Sequence, residues 1–252
     1  MLIYEPVKVL FQVGPIKLFS WGLMVAIGFL VASLLILKEA EKKRFNKDRV
    51  ANLIIFSIIG AFVGARLVYV LFELDYYIKN PFAIFSVWEG GVVSYGGIIF
   101  AVLAAYIYIK AKKESFLKYV DLVAPYIPLG FAIARIGCFL NWCCYGIQSS
   151  LPWAVRVGSD FARHPTQLYL LIVNLIVFVI LMIIKDKKFF ARIGGGVFFT
   201  YLLLYSALRL LIEPLRVYQT QAFHWVAYSI LALGVVVSVI FFILKKKKIK
   251  RR

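Results

Sequence analysis

Three arginines stand where charge is expensive. Arg66, Arg135 and Arg209 each lie inside a run of otherwise apolar residues, with Asp121 and Glu213 as the carboxylates in comparable surroundings. A guanidinium in such a run pairs with a carboxylate, snorkels to the surface along its own stem, or binds an anion. Glu213 follows Arg209 at four-residue spacing, so one helical turn can join those two. The other two arginines leave a surplus of positive charge. Planar guanidinium forks fit phosphate oxygens, and the most available anion at a membrane edge is a phospholipid headgroup. Close to the same level stands Tyr95, followed by Gly96-Gly97 and preceded by Gly90-Gly91. Paired glycines either let backbone approach a ligand or let helices pack closely, as is expected of Gly60 and Gly64.

The elements that must position these groups are legible as seven apolar runs, at roughly residues 17–37, 51–74, 92–109, 119–140, 167–184, 194–213 and 223–244. Each is near the ~20 residues that cross ~30 Å of hydrocarbon as a helix. Apolar residues make up 63% of the chain and the mean hydropathy is +0.87, well above soluble domains at roughly 45–50%. The expected fold is an all-α integral membrane protein of about seven transmembrane helices, with residues 1–252 forming a single polytopic domain. Residues 1–16 lack a basic start followed by a short apolar core, so no cleavable signal peptide is expected.

The net charge of +18 would suggest nucleic acid in a soluble protein, but its distribution follows the membrane. Lysines and arginines cluster at 38–49, 110–118, 185–192 and 245–252, between alternate runs and in the tail. The other side holds only Lys8, Lys17, Lys79, Arg156, Arg163 and Arg216. This is the positive-inside pattern, with the N-terminus out and the C-terminus in. It argues against nucleic acid as a partner, and for a tail touching anionic lipid. With that orientation, Arg66, Arg135 and Arg209 fall in the outer halves of their spans and Asp121 near the cytoplasmic end.

Two outer loops, 75–91 and 141–166, are long enough to carry structure of their own. Cys138, Cys143 and Cys144 gather at the outer end of the fourth span. They are read as small apolar fillers, with a disulfide from Cys138 to one of the others as an alternative on an oxidising face. Zinc would ask for more ligands, and only His164 is near in sequence. Neither a metal nor a cofactor is expected.

Several stretches resemble the prolipoprotein diacylglyceryl transferase family of bacteria. They are Ser20-Trp21-Gly22-Leu23-Met24, Gly64-Ala65-Arg66, the run from Trp88-Glu89-Gly90-Gly91 into Tyr95-Gly96-Gly97, and Asp121 with Pro125 and Pro128. Arg135-Ile136-Gly137-Cys138-Phe139-Leu140-Asn141 is close to the family's signature, with Cys138 where asparagine is usual. Arg163-His164-Pro165-Thr166-Gln167-Leu168-Tyr169 follows, then Tyr205, Arg209, Glu213 and Arg216 at the family's spacing.

The resemblance implies phosphatidylglycerol as lipid donor, a prolipoprotein signal peptide with its lipobox cysteine as acceptor, and glycerol 1-phosphate as released product. It places the protein in the bacterial cell membrane, with its site facing the outer leaflet. Arg135 is implied to touch the phospholipid phosphate and Arg209 to be essential. Asn141, Arg66, Gly96, Gly97, Tyr205, Glu213, Arg216 and His164 are the further candidates for substrate binding. Because the substrate brings its own thiol, the protein needs no nucleophile. Tyr95 is a candidate base only if nearby arginines stabilise its phenolate; otherwise it donates a hydrogen bond. His164 is as well suited to a structural role in its loop. The rival readings are a transferase of the same fold that uses another lipid or thiol acceptor, and a lipid transporter. No internal repeat or charged path through both leaflets supports the transporter.

Overall fold

Hydrocarbon offers backbone no hydrogen bonds, so apolar runs of Leu, Ile, Val and Phe satisfy their own amides as helices. The computed structural model of the chain describes residues 2–14, 16–86, 91, 93–218 and 221–250, and it follows this rule. Six of its helical segments are long and apolar enough to cross a membrane: Ser20–Lys42, Lys47–Phe72, Phe116–Leu140, Thr166–Ile184, Gly196–Leu215 and Phe223–Lys246. The seventh expected span is the helix Ser94–Ala111, with 18 residues. At 1.5 Å per residue it rises about 27 Å, just short of the ~30 Å of hydrocarbon.

The chain forms two compact units, residues 37–119 and residues 1–36 with 120–252. In the unit 37–119, α2 (Lys47–Phe72) and α4 (Ser94–Ala111) lie against each other, with a short α3 (Leu74–Lys79) and a 3-10 turn Pro81–Phe85 between them in sequence. Glycine makes this contact possible. A Cβ on Gly64 would come within 2.7 Å of the Gly96 carbonyl oxygen, and one on Gly96 within 2.6 Å of the Gly64 oxygen. Gly97 faces Ala61 and Ala65 in the same seam. At the other end of α2, Asn46 caps the helix by accepting from the Arg49 amide. Arg49 pairs with Glu114, which also accepts from the Tyr119 hydroxyl at 2.6 Å.

The other unit begins with structure that the sequence pattern did not announce. β1 (Leu2–Tyr4) pairs in parallel with β4 (Val155–Val157), and β2 (Val9–Val13) with β3 (Ile16–Phe19) makes an antiparallel hairpin. The hairpin delivers the chain to α1 (Ser20–Lys42). The fourth span is broken by its prolines into α5 (Phe116–Val123), a 3-10 turn Ala124–Tyr126 and α6 (Ile127–Leu140). Pro125 and Pro128 each lack an amide donor, so the regular ladder is interrupted there. α7 (Thr166–Ile184) packs on α6, α9 (Gly196–Ile212) on α7, and α10 (Gln221–Lys250) on α9; a short α8 (Lys188–Arg192) precedes α9. The core of this unit is Ala124, Val177, Leu181, Val197 and Tyr201. Asp121 ties its far end: one carboxylate oxygen accepts from the Gly195 amide at 2.7 Å, the other from Phe198 at 2.9 Å. That is a cap on the N-terminus of α9, supplied from another helix, where a negative charge is favoured.

Elsewhere the helices present large apolar side chains outward. Phe62, Ile99 and Leu211 are each more than 60% exposed. Outward-facing rings and branched chains at this density suit lipid rather than water.

Candidate functional site

Arg66 lies on α2 and is buried. Its Nε donates to the Ile84 carbonyl at 2.9 Å, Nη1 to Gly91 at 3.1 Å, and Nη2 to Ala83 at 2.6 Å and Ser86 at 3.3 Å. The rings of Tyr69 and Tyr77 flank the guanidinium at 5.8 and 5.4 Å. One arginine thereby holds the carbonyls of Ala83, Ile84, Ser86 and Gly91. Gly91 adopts a positive φ of 78°, and a Cβ there would meet Tyr69 and Arg66 at 2.5 and 2.8 Å. Trp88, Glu89, Gly90 and Val92 of the expected motif lie outside the described residues. Tyr95, in the first turn of α4, is 44% exposed, while Gly96 and Gly97 are packing residues against α2.

Arg135, in the third turn of α6, has a different environment. It is half-buried, and its partners among the described residues are thiols: Nη1 points to the Cys138 sulfur at 3.8 Å, and Cys144 also lies within its reach. No carboxylate among the described residues pairs with it. Thiols are weak acceptors, so this guanidinium keeps most of its hydrogen-bonding capacity. α6 ends at Asn141, whose amide still bonds to the Gly137 carbonyl at 2.9 Å. The chain then reverses through Trp142 and Cys144, both at positive φ, 50° and 60°.

Arg209, on α9, shares a buried network with Glu213. Its Nε donates to one Glu213 oxygen at 2.9 Å, and Nη1 reaches the Tyr205 hydroxyl at 3.4 Å. Glu213 is fully buried; its other oxygen accepts from the Tyr218 hydroxyl. Arg216 donates to Tyr218 at 3.0 Å and lies over its ring. The expected pair of Arg209 with Glu213 is thus present, extended by a second arginine through a tyrosine. Two arginines and one carboxylate leave this network with a net positive charge.

The loop 141–166 folds back onto this region. Gly146 bridges to Arg216, and the Ile147 amide donates to the Leu215 carbonyl at 2.9 Å. His164 serves the loop itself. Its amide donates to Ile147, its Nδ1 meets the Tyr169 hydroxyl at 3.1 Å, and that hydroxyl accepts from the Trp153 indole at 2.8 Å. Thr166 and Gln167, both buried at the start of α7, donate to the carbonyls of Cys144 and Cys143 at 2.6 and 2.7 Å. The three cysteine thiols are free and close together. Hydrogen bonds from Cys138 and Cys143, and then the charge of Arg135, pull the Cys144 thiol below its ordinary pKa.

A model of prolipoprotein diacylglyceryl transferases matches residues 8–246. The chain belongs to that family. A phosphatidylglycerol–prolipoprotein diacylglyceryl transferase of Clostridium botulinum (strain Langeland) is 38% identical over 255 residues, covering 94% of this chain and 97% of the relative. The protein of that name from Oceanobacillus iheyensis is 33% identical over 261 residues, covering 97% and 90%. That from Pasteurella multocida is 38% identical over 220 residues, covering 84% and 79%.

Within this diacylglyceryl transferase the residues read from sequence, His164 in its loop aside, thus fall into three settings. Arg135 and Asn141 stand at the end of α6. Tyr205, Arg209, Glu213 and Arg216 form one network. Arg66, Tyr95, Gly96 and Gly97 belong to the unit 37–119. Sequence reasoning passed over Tyr218, which joins Glu213 to Arg216. The available signal was a tyrosine five residues beyond a buried glutamate, with Pro214 forcing a turn between them.

Proposed function

We propose that the chain transfers a diacylglyceryl group from phosphatidylglycerol to the lipobox cysteine of prolipoproteins, at the outer leaflet of a bacterial cell membrane, as a single polytopic membrane domain. The observation that carries the reading is Arg135: a half-buried guanidinium on an apolar helix with thiols as its partners and no carboxylate among the described residues. Such a cation is stabilised by an anion brought from outside, and a phosphodiester provides one with the geometry of its fork. Family membership supplies the donor and acceptor in the names of its relatives.

In the reaction, the acceptor thiolate attacks the glycerol carbon that bears the phosphate. The C–S bond forms as the C–O bond breaks, and the electron pair leaves on the phosphate, released as glycerol 1-phosphate. The thiol's proton passes to a base. Arg135 and Arg209 stabilise the charge that grows on the leaving phosphate. Glu213, Tyr205 and Arg216 hold Arg209 in place, and Asn141 closes the helix end beside Arg135. Tyr95 contributes a hydroxyl as proton acceptor or hydrogen-bond donor. Arg66, with its N–H groups on the carbonyls of Ala83, Ile84, Ser86 and Gly91, fastens backbone rather than taking the lipid itself. The basic clusters at 38–49, 110–118, 185–192 and 245–252 support a cytoplasmic C-terminus and an external N-terminus.

The test is direct. Purified chain, phosphatidylglycerol with a labelled glycerol backbone and a lipobox peptide should yield a peptide heavier by one diacylglyceryl group, with the label on its cysteine. A peptide left unmodified by active-purified, folded chain would reject the reading.

A further inference from the structure

Cys138, Cys143 and Cys144 are brought together by backbone that holds them from both sides. Cys138 lies in the last turn of α6, and the Cys143 amide returns to the Cys138 carbonyl at 3.0 Å. The positive φ of Trp142 and Cys144 folds the next residues back over that turn, a conformation that costs non-glycine residues about 1 kcal/mol or more each. Gln167 and Thr166, both fully buried, fix the carbonyls of Cys143 and Cys144. All three sulfurs then lie within 4.8 Å of one another.

We infer that these three cysteines form a binding site for a soft divalent metal ion of the zinc type. Thiolates around a tetrahedral ion with Zn–S bonds of ~2.3 Å stand about 3.8 Å apart. The sulfurs therefore need to close by ~1 Å at most, within the reach of side-chain rotation on a fixed backbone. Binding releases three thiol protons and leaves a site of net charge −1. The guanidinium of Arg135, 3.8 Å from the Cys138 sulfur, offsets that charge. A fourth position remains open to water. The Oε1 of Gln167, buried and without a hydrogen-bond partner, is an acceptor that such a water can satisfy on the same side chain that fixes Cys143.

The site has a consequence for transfer that depends on Arg135 holding the lipid phosphate. A zinc–thiolate group beside Arg135 competes with phosphate for the guanidinium, so the zinc-loaded chain should show a raised KM for phosphatidylglycerol. Metal uptake itself does not depend on that reading.

The full-length chain in detergent, kept reduced with a non-thiol reductant and stripped of metal, is titrated with Zn(II) against a chromophoric chelator. One equivalent per chain is expected. Cys144→Ser, which keeps the turn, should weaken uptake by at least about 100-fold. Alkylation mapped by mass analysis gives a readout free of any variant: Zn(II) should protect all three cysteines together. Absence of stoichiometric uptake, equal uptake by Cys144→Ser, or alkylation unchanged by Zn(II) would overturn the site. So would a disulfide between any two of the three in the chain as isolated. Uptake with an unchanged KM would leave the metal site standing and count against the lipid role of Arg135.

Discussion

Arg66 and Arg135 are the same side chain in the same kind of helix, yet their surroundings give them opposite work. Around Arg66 the chain supplies acceptors: four hydrogen bonds go to the carbonyls of Ala83, Ile84, Ser86 and Gly91, with two tyrosine rings alongside. Around Arg135 it supplies thiols. A buried cation must be compensated somewhere. At Arg66 the protein provides the compensation, so the residue is a fastener. At Arg135 the partners among the described residues are thiols, and the proposed function gives the remaining donors to the lipid phosphate. Charge inside an apolar run marks a residue for attention, and the partners decide what it does.

The comparison can be broken most sharply at Arg135. Arg135→Lys keeps the charge and loses the fork. It should lower kcat/KM by at least about 100-fold, the usual cost of one donor to a developing anion, with the thermal midpoint of the chain in detergent little changed. Near-normal transfer by this variant would remove Arg135 from the lipid site. At Arg66 the effects should be reversed. Arg66→Lys strands carbonyls that cost about 1–3 kcal/mol each when left unmade, so a lowered thermal midpoint is expected, with KM for phosphatidylglycerol unchanged in the folded fraction. A stable Arg66→Lys with a raised KM would make Arg66 a ligand after all.

Arg209 sharpens the middle of the scale, because it is both paired and in a network of net positive charge. Arg209→Ala leaves Glu213 buried with Tyr218 as its main partner, so stability and transfer should both fall. Restoring stability with Arg209→Ala/Glu213→Gln while transfer stays lost would separate the two. The smallest effect belongs to Asp160, an exposed carboxylate held below its ordinary pKa by Arg163 and then by the Phe161 amide. Its contribution to the turn is complete above the unfolded value of ~3.9 and is lost as pH falls through the lower folded value. Hydrogen exchange at Phe161 should speed up only in that acid range, with the α9 amides unaffected.

Much of this was legible in the sequence where apolar run length or four-residue spacing carries the information. The helices fall within a few residues of their expected bounds, and Arg209 meets Glu213 as its spacing implies. What could not be read are partners that are backbone groups. Asp121 stood out as a costly charge, but nothing in the residues reveals that its acceptors serve the amides of Gly195 and Phe198, more than seventy positions on. The carbonyl partners of Arg66 were hidden for the same reason, since carbonyls carry no letter of their own. The cysteine cluster was visible as spacing alone. Its convergence depends on positive φ at Trp142 and Cys144, where no glycine announces a reversal. The glycines around Tyr95 allowed two readings, and contact between Gly64 and Gly96 favours packing.

The parallel pairing of Leu2 with Val155, Ile3 with Arg156 and Tyr4 with Val157 sets a schedule on biosynthesis. β1 is made about 150 residues ahead of its partner, with four long stretches of apolar helix between them. At ~5–20 residues per second, the earliest residues wait roughly 8–30 s for the strand they join. Tyr4 waits almost as long: its hydroxyl donates to the Leu140 carbonyl at 3.2 Å, and its ring meets Phe139 and Trp142. The end of α6 that carries Arg135 is therefore joined to the N-terminal strand late, and a nascent chain stalled before residue 155 would lack the β1–β4 pairing.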